Sequence, residues 1–289
     1  SSFSVDENQT DIGRVIAIDV DGDAITYSVL KEADHESVDI DSENGILVFR
    51  SAPNYETSSS YTVSVSVSDG EFEEKQVIQI TINDVNDAPY FTDWRNSNYE
   101  LIPNPEFVVS ESINPGDYIG AFSPRDEDGD DFTFSISGDD LKIAGYDKIY
   151  FVSSPDFETK SFFDAILSIS DGELSTDVPI TVTLTDVDDT APLFTSSGTF
   201  SVAENQTSIG VVTATDPDTD DSLIVYSVSG SELSINSSSG VLTFNSAPDY
   251  ETKSSYLVTV TASDGTNSID QNLTVNVTNL NDNTPSFTS

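Results

Sequence analysis

The sequence predicts an all-β chain of tandem sandwich domains. Three observations carry that expectation: an ordered set of motifs repeated three times, strand signals arriving about every ten residues, and Asp-Gly turns between alternating runs. Val5-Asp6-Glu7-Asn8-Gln9-Thr10 returns as Val202-Ala203-Glu204-Asn205-Gln206-Thr207, with a shorter middle copy at Val109-Ser110-Glu111-Ser112. Pro53-Asn54-Tyr55-Glu56-Thr57 returns as Pro155-Asp156-Phe157-Glu158-Thr159 and Pro248-Asp249-Tyr250-Glu251-Thr252. Ser-Asp-Gly triplets follow at Asp69, Asp171 and Asp264, and each copy closes on an acidic stretch with a proline: DVNDAPYF from Asp84, DVDDTAPLF from Asp186 and NLNDNTPSF from Asn279. This order divides the chain into repeats at 1–88, 89–190 and 191–289, the middle one carrying an extra N-terminal segment at 93–102.

The third repeat shows the elements most clearly. Segments 211–215, 223–228, 241–244, 256–262 and 268–277 read as strands, parted by Asp/Pro, Ser/Gly and Asp-Gly turns. In the first repeat the alternation Tyr61-Thr62-Val63-Ser64-Val65-Ser66-Val67 predicts an inward valine face and a Ser/Thr face turned to water. The Asp-Gly pairs predict hairpins, so their aspartates have a turn role before any other.

Charge narrows the function. The 289 residues hold 52 acidic and 10 basic side chains, a formal net charge of -42. Nucleic acid and anionic membrane surfaces are excluded as partners, because neither is bound without a basic face. Disorder is excluded by the strand patterning and by 16 Phe, 11 Tyr and one Trp. What remains is a solvated acidic surface, a set of cation sites, or both. With no Cys and no Met, disulfides, thiolate metal sites and cysteine nucleophiles are ruled out. No apolar run is long enough to insert into a membrane, and the chain reads as an interior piece of a longer protein.

The order of these motifs closely resembles the cadherin family: a Glu in the first strand, an Asp-x-Asp after the second, an Asp/Pro-x-Glu corner, an Asp-Gly hairpin and a terminal DxNDNxPxF. The resemblance covers nearly the whole chain. It implies three tandem Greek-key sandwiches of cadherin-like, immunoglobulin-like type in an extended rod, with Ca²⁺ bound where consecutive repeats meet, usually three ions per junction. Ca²⁺ takes about six to eight oxygen ligands, which several acidic loops together supply.

For the first junction the resemblance assigns Glu7, Asn54, Glu56, Asn86 and Asp87, the Val85 carbonyl, and Asp126, Asp128 and Asp171 of the second repeat. Asn54 departs from the family's Asp, and this linker is one residue short, with Ala88 directly before Pro89. For the second junction it assigns Glu111, Asp156, Glu158, Asp188 and Asp189, the Val187 carbonyl, and Asp216, Asp218 and Asp264. Asp84 and Asp186 are further candidates. Asp188 adds a charge where the family has Asn, so the second junction is expected to bind at least as tightly as the first. Asp19, Asp21 and Asp69 at one end of the chain, and Glu204, Asp249, Glu251, Asn281 and Asp282 at the other, are half-sites awaiting further repeats.

The expected function is therefore Ca²⁺-dependent adhesion, or a rigid spacer, outside the cell, in a protein resembling large bacterial surface proteins. No catalytic residues are assigned, because paired carboxylates recur at every domain end instead of lining one cleft. Homophilic protein contacts or a glycan are the candidate ligands. The alternative is a carbohydrate-binding module in which Trp94, Tyr99 and Tyr146 stack on sugar rings, although Trp94 also suits packing within the fold.

Overall fold

The computed structural model describes residues 1–286; Phe287, which ends the third closing motif, lies outside them. Three sandwiches follow one another along the chain, each with its own apolar core. In the first, one sheet takes the order Ser2–Asp6, Glu73–Asn83, Ser60–Ser68, Thr26–Val29, and the facing sheet the order Asp11–Arg14, Ile46–Phe49, Val38–Ile40. Ile78, Ile80 and Ile82, at alternate positions of one strand, are buried between them. The third sandwich repeats this plan and adds Leu193–Phe194 paired with Ala214–Thr215.

The middle sandwich differs on one side. Its facing sheet has five strands in the order Leu141–Ala144, Lys148–Phe151, Gly120–Arg125, Tyr90–Asn96, Leu101–Ile102. Tyr90-Phe91 matches Leu193-Phe194 of the third repeat, and the segment 93–102 that the third repeat lacks extends this strand into a hairpin, pairs Trp94 with Phe122 and Ile102, and widens the sheet.

One register decides where chemistry collects. In every sandwich an early strand, Ser2–Asp6, Glu106–Ser110 or Thr199–Ala203, pairs in parallel with the last, Asp6 opposite Asn83, Ser110 opposite Thr185 and Ala203 opposite Thr278. Both strands therefore run to the same end, and the Glu that follows the early strand lies beside the outgoing linker. Strand 60–68 runs the opposite way. Its preceding corner, 54–57, shares that trailing end, while the Asp-Gly hairpin after it sits at the leading end. Stacking repeats end to end brings the trailing carboxylates of one against the leading carboxylates of the next.

The hairpins use four-residue loops, since Ser68 pairs with Glu73, Ser170 with Ser175 and Ser263 with Ser268. Gly70, Gly172 and Gly265 take φ of 103, 106 and 111°, a region closed to ordinary L side chains. The preceding aspartates accept from the N–H groups of the two loop residues after the glycine, so they do serve the turn. Asn8 and Asn205, at φ 62 and 66°, turn the chain after Glu7 and Glu204, which explains the recurring Glu-Asn.

Two expectations about elements need correction. Ser64 and Ser66 are buried, 7% and 3% exposed, instead of facing water. They stand on a central strand flanked by Thr26–Val29 and Glu73–Asn83, and the Ser66 hydroxyl donates to Glu73. Segment 211–215 is two strands, Ser208–Val211 and Ala214–Thr215, because the chain changes partner between them, from Val241–Phe244 to Leu193–Phe194. Asp221–Leu223 is a 3-10 turn, and the strand begins at Val225.

Candidate metal centre

Each trailing end is organised by one buried glutamate. Glu7, Glu111 and Glu204 are 3%, 5% and 2% exposed. Each spends one carboxylate oxygen on the corner and the other on the linker. Glu7 accepts from the N–H of Tyr55 (2.7 Å) and Val85 (2.9 Å), Glu111 from Phe157 (2.6 Å) and Val187 (2.7 Å), and Glu204 from Tyr250 (2.7 Å) and Leu280 (2.7 Å). Strand end, corner and linker are thereby tied at one point, which brings the remaining carboxylates together.

At the first junction, carboxylate oxygens of Glu7, Glu56, Asp84 and Asp128 lie within 4.8 Å of one another, as do those of Glu56, Asp87 and Glu127. Contacts between the repeats join the same loops. The Asp87 N–H donates to Asp128 (2.6 Å), Asn86 Nδ2 donates to Asp171 (2.9 Å), and Asn54 Nδ2 donates to Glu127. At the second junction the groups are Glu111, Glu158 and Asp189, and Glu158, Asp186 and Asp218. Both Asp189 and Thr190 donate their N–H to Asp218, at 3.1 and 2.7 Å. Thr190 stands in the stretch where the first linker is one residue shorter, so that linker makes one fewer such bond. Asp188 accepts from the Thr266 hydroxyl and the Asn267 amide of the next hairpin.

Not every assigned residue converges in this way. Asp156 stands outside the groups at the second junction and braces its own corner, accepting from the N–H and hydroxyl of Thr159; Asp249 makes the same bonds to Thr252 and keeps its carboxylate beside those of Glu204 and Glu251. Val85 and Val187 take part through their N–H groups on the glutamates. Asp84 and Asp186 lie inside the clusters, and Glu127, absent from the sequence assignment, joins one of them. Its signal was an acidic residue between Asp126 and Asp128 where the third repeat has Pro217.

Electrostatics mark these clusters as strained when no cation is bound. Partial desolvation, then the charges of Glu7, Asp128 and Asp84, push Glu56 upward; desolvation and Asp128 do the same to Asp84. Desolvation raises Asp87 against the lowering bond from Asn8, with Glu7, Asp128 and Glu127 adding to the rise. Asp186 rises by desolvation and the charges of Asp218 and Glu111. Glu158 is pushed up to about 7, first by desolvation and then by Asp218 and Glu111. Asp171 moves down because the Asn86 amide and its own loop N–H groups bind its charged form.

A second observation concerns oxygen atoms without partners. Among the described residues, five buried carboxylate oxygens have none: Oδ2 of Asp126, Oδ1 of Asp128, Oδ2 of Asp216, Oδ1 of Asp218 and Oδ2 of Asp264. All five sit on leading loops at the two junctions, and buried polar atoms are rarely left unpaired. An all-oxygen set of carboxylates with spare lone pairs suits a hard cation such as Ca²⁺.

Residues 198–278 match the Cadherin domain family, and residues 1–83 match the Bacterial Ig domain family. The repeats are cadherin-like. Human "Protocadherin gamma-A2" is 30% identical over 281 residues, covering 86% of this chain and 29% of that protein. The Drosophila melanogaster "Protocadherin-like wing polarity protein stan" is 29% identical over 312 residues, covering 96% of this chain and 8% of that protein. The chain thus spans a small share of these relatives. Among solved structures, "Protocadherin Gamma B2 extracellular cadherin domains 3-6" superposes with a TM-score of 0.66 at 27% identity, covering 97% of this chain and 72% of that one. Mouse Cadherin-23 EC22-24 shares the fold of the cadherin-like repeats with a TM-score of 0.65 at 24% identity, covering 96% of each chain.

The aromatic residues of the middle cadherin-like repeat divide in two. Trp94 is 9% exposed and belongs to the core beside Phe91 and Phe122, with ring centroids at 5.1 and 6.2 Å. It is not a surface for sugar stacking. Tyr99 and Tyr146 are exposed, but each leans at an angle on neighbours, Tyr99 on Tyr118 and Tyr146 on Phe132 and Phe134.

Proposed function

We propose that the chain is a Ca²⁺-dependent adhesive or spacer segment of an extracellular surface protein, stiffened at the two junctions. The five unpartnered carboxylate oxygens of the leading loops carry this reading. Bound Ca²⁺ supplies a divalent charge and roughly six to eight coordination positions for oxygen. The chain's own residues do the rest. Glu7 and Glu111 hold corner and linker in place, Glu56, Asp87, Glu158 and Asp189 present carboxylates from the trailing side, and Asp126, Asp128, Asp171, Asp216, Asp218 and Asp264 present them from the leading side. Without a cation, like charges across a junction oppose its closure.

Further repeats at both ends and a homophilic protein partner complete the proposal. The cluster of Glu204, Asp249 and Glu251 at the trailing end of the third repeat supports a following neighbour. The match of residues 1–83 to a bacterial domain family supports a bacterial surface protein.

Small-angle scattering with millimolar Ca²⁺ and with chelator tests the reading. The expected result is a maximum dimension close to three sandwiches end to end with Ca²⁺, and a broadened profile after chelation. Superimposable profiles would reject ion-stiffened junctions.

Proton linkage gives a second check. Glu158 has its folded pKa raised from 4.5 to about 7. The Ca²⁺-free junction therefore holds a proton that the unfolded chain releases. Its contribution to stability is fully present below about pH 4.5 and is lost as the pH rises through about 7. Ca²⁺ binding near pH 6 is expected to expel about one proton at the second junction, and affinity should rise between pH 5 and 7. Calorimetry in two buffers of different protonation enthalpy measures this; identical heats would contradict it.

A further inference from the structure

The two junctions are not built alike. In the second and third repeats the corner opens with a carboxylate, Asp156 or Asp249; in the first it opens with the amide of Asn54. The middle position of the Asp-x-Asp loop changes in the opposite sense. It is Pro217 in the third repeat and Glu127 in the second. Each junction thus has one carboxylate at this pair of positions, contributed by the preceding repeat in the second junction and by the following repeat in the first.

Geometry matches the exchange. Asn54 Oδ1 accepts from the Thr57 N–H at 2.8 Å, which turns Nδ2 across the junction to donate to Glu127. Glu127 then lies with its carboxylate beside those of Glu56 and Asp87, all within 4.8 Å. Its counterpart group at the second junction is Glu158 and Asp189 completed by Glu111. Glu127 is exposed and on a flexible stem, free to point into water, yet it is held against two like charges. The tyrosine at the start of the second repeat, Tyr90, reaches the other Glu127 oxygen at 3.4 Å.

We infer that Glu127 is a Ca²⁺ ligand of the first junction, supplying the carboxylate missing at Asn54, so that the site of Glu56 and Asp87 is closed by the following repeat. This rests on the junctions binding Ca²⁺ as proposed above. It gives the first junction a cross-repeat tether that the second lacks, and it offsets the lost charge at position 54.

Titration of the intact chain with Ca²⁺, followed by amide NMR, tests it. The N–H groups of Val85 and Asp87 report the first junction and those of Val187, Asp189 and Thr190 the second. Glu127→Gln is expected to weaken the response at 85 and 87 by about tenfold or more, because affinity follows the count of charged ligands, and to leave 187–190 unchanged. Adding Asn54→Asp to Glu127→Gln returns the carboxylate to the preceding repeat and is expected to recover most of the loss. A Glu127→Gln chain that titrates like the wild type overturns the inference while leaving the junction reading intact. A loss that Asn54→Asp fails to recover also overturns it, since Glu127 would then act by orienting the repeats. No response at either junction of the wild type overturns the Ca²⁺ reading itself.

Discussion

Glu111→Ala is expected to abolish cation binding at the second junction and to destabilise the second repeat even in chelator, by about 3 kcal/mol. That figure follows from two N–H donors to a charged acceptor at about 1.5–3 kcal/mol each, discounted for partial solvation once the cavity opens. An opposing effect exists, because Ala removes one charge from a group of carboxylates. At about 4 Å one such repulsion is worth roughly 1 kcal/mol in water and about 4 kcal/mol near a protein surface, so unfolding is measured at about 1 M salt, where a screening length of about 3 Å removes most of it and the lost hydrogen bonds win. The residue is 5% exposed and accepts from the Phe157 and Val187 N–H groups; the Val187 N–H also faces the Asp186 carboxylate, which softens the loss on the linker side. Glu111→Gln separates the two roles. Its carbonyl keeps one acceptor, while its NH₂ faces a donor, so about half the destabilisation is expected with cation binding still lost. Urea unfolding in chelator, paired with Ca²⁺ calorimetry, measures both. An Ala variant as stable as the wild type would mean that the glutamate serves the cation alone.

How much of this was legible in the sequence depends on whether the deciding contact is repeated. Glu7, Glu111 and Glu204 stand out because each repeat needs the same clamp between strand end, corner and linker. Asp69, Asp171 and Asp264 stand out because each hairpin needs the same loop cap. The all-β fold itself follows from strand periodicity that recurs in every repeat. Where one repeat departs from the others, periodicity gives no guidance. The burial of Ser64 and Ser66 depends on their strand being central in its sheet, and the break within 211–215 depends on which strand pairs on each side. Glu127 escapes because its partner, Asn54, lies in another domain, and neither residue on its own is unusual for an acidic surface loop. The Asp156 carboxylate accepts from the Thr159 N–H and hydroxyl as Asp249 does from Thr252, a corner bond that leaves each oxygen a further lone pair and that the pattern does not reveal.

Trp94→Ala is expected to cost the middle repeat about 3–5 kcal/mol, the usual range for removing a large aromatic from a core. The indole belongs to a run of rings in which Phe91 meets Phe122 edge-on at 5.4 Å and Phe122 meets Phe134 at 5.1 Å. Its backbone lies opposite Phe122 on one side and Ile102 on the other, so the side chain sits where the extra hairpin joins the older sheet. Loss of the ring leaves a cavity that a five-stranded sheet cannot close by shifting one strand, and the hairpin 90–102 loses its main anchor to the core. The cation sites are built by other loops, so Ca²⁺ binding at the second junction is expected to survive under conditions where the variant remains folded. Thermal unfolding followed by far-ultraviolet circular dichroism reads the first effect without relying on the tryptophan, and calorimetry reads the second. A variant within about 1 kcal/mol of the wild type, well below the range for a core aromatic, would show that the indole does not hold the hairpin to the core.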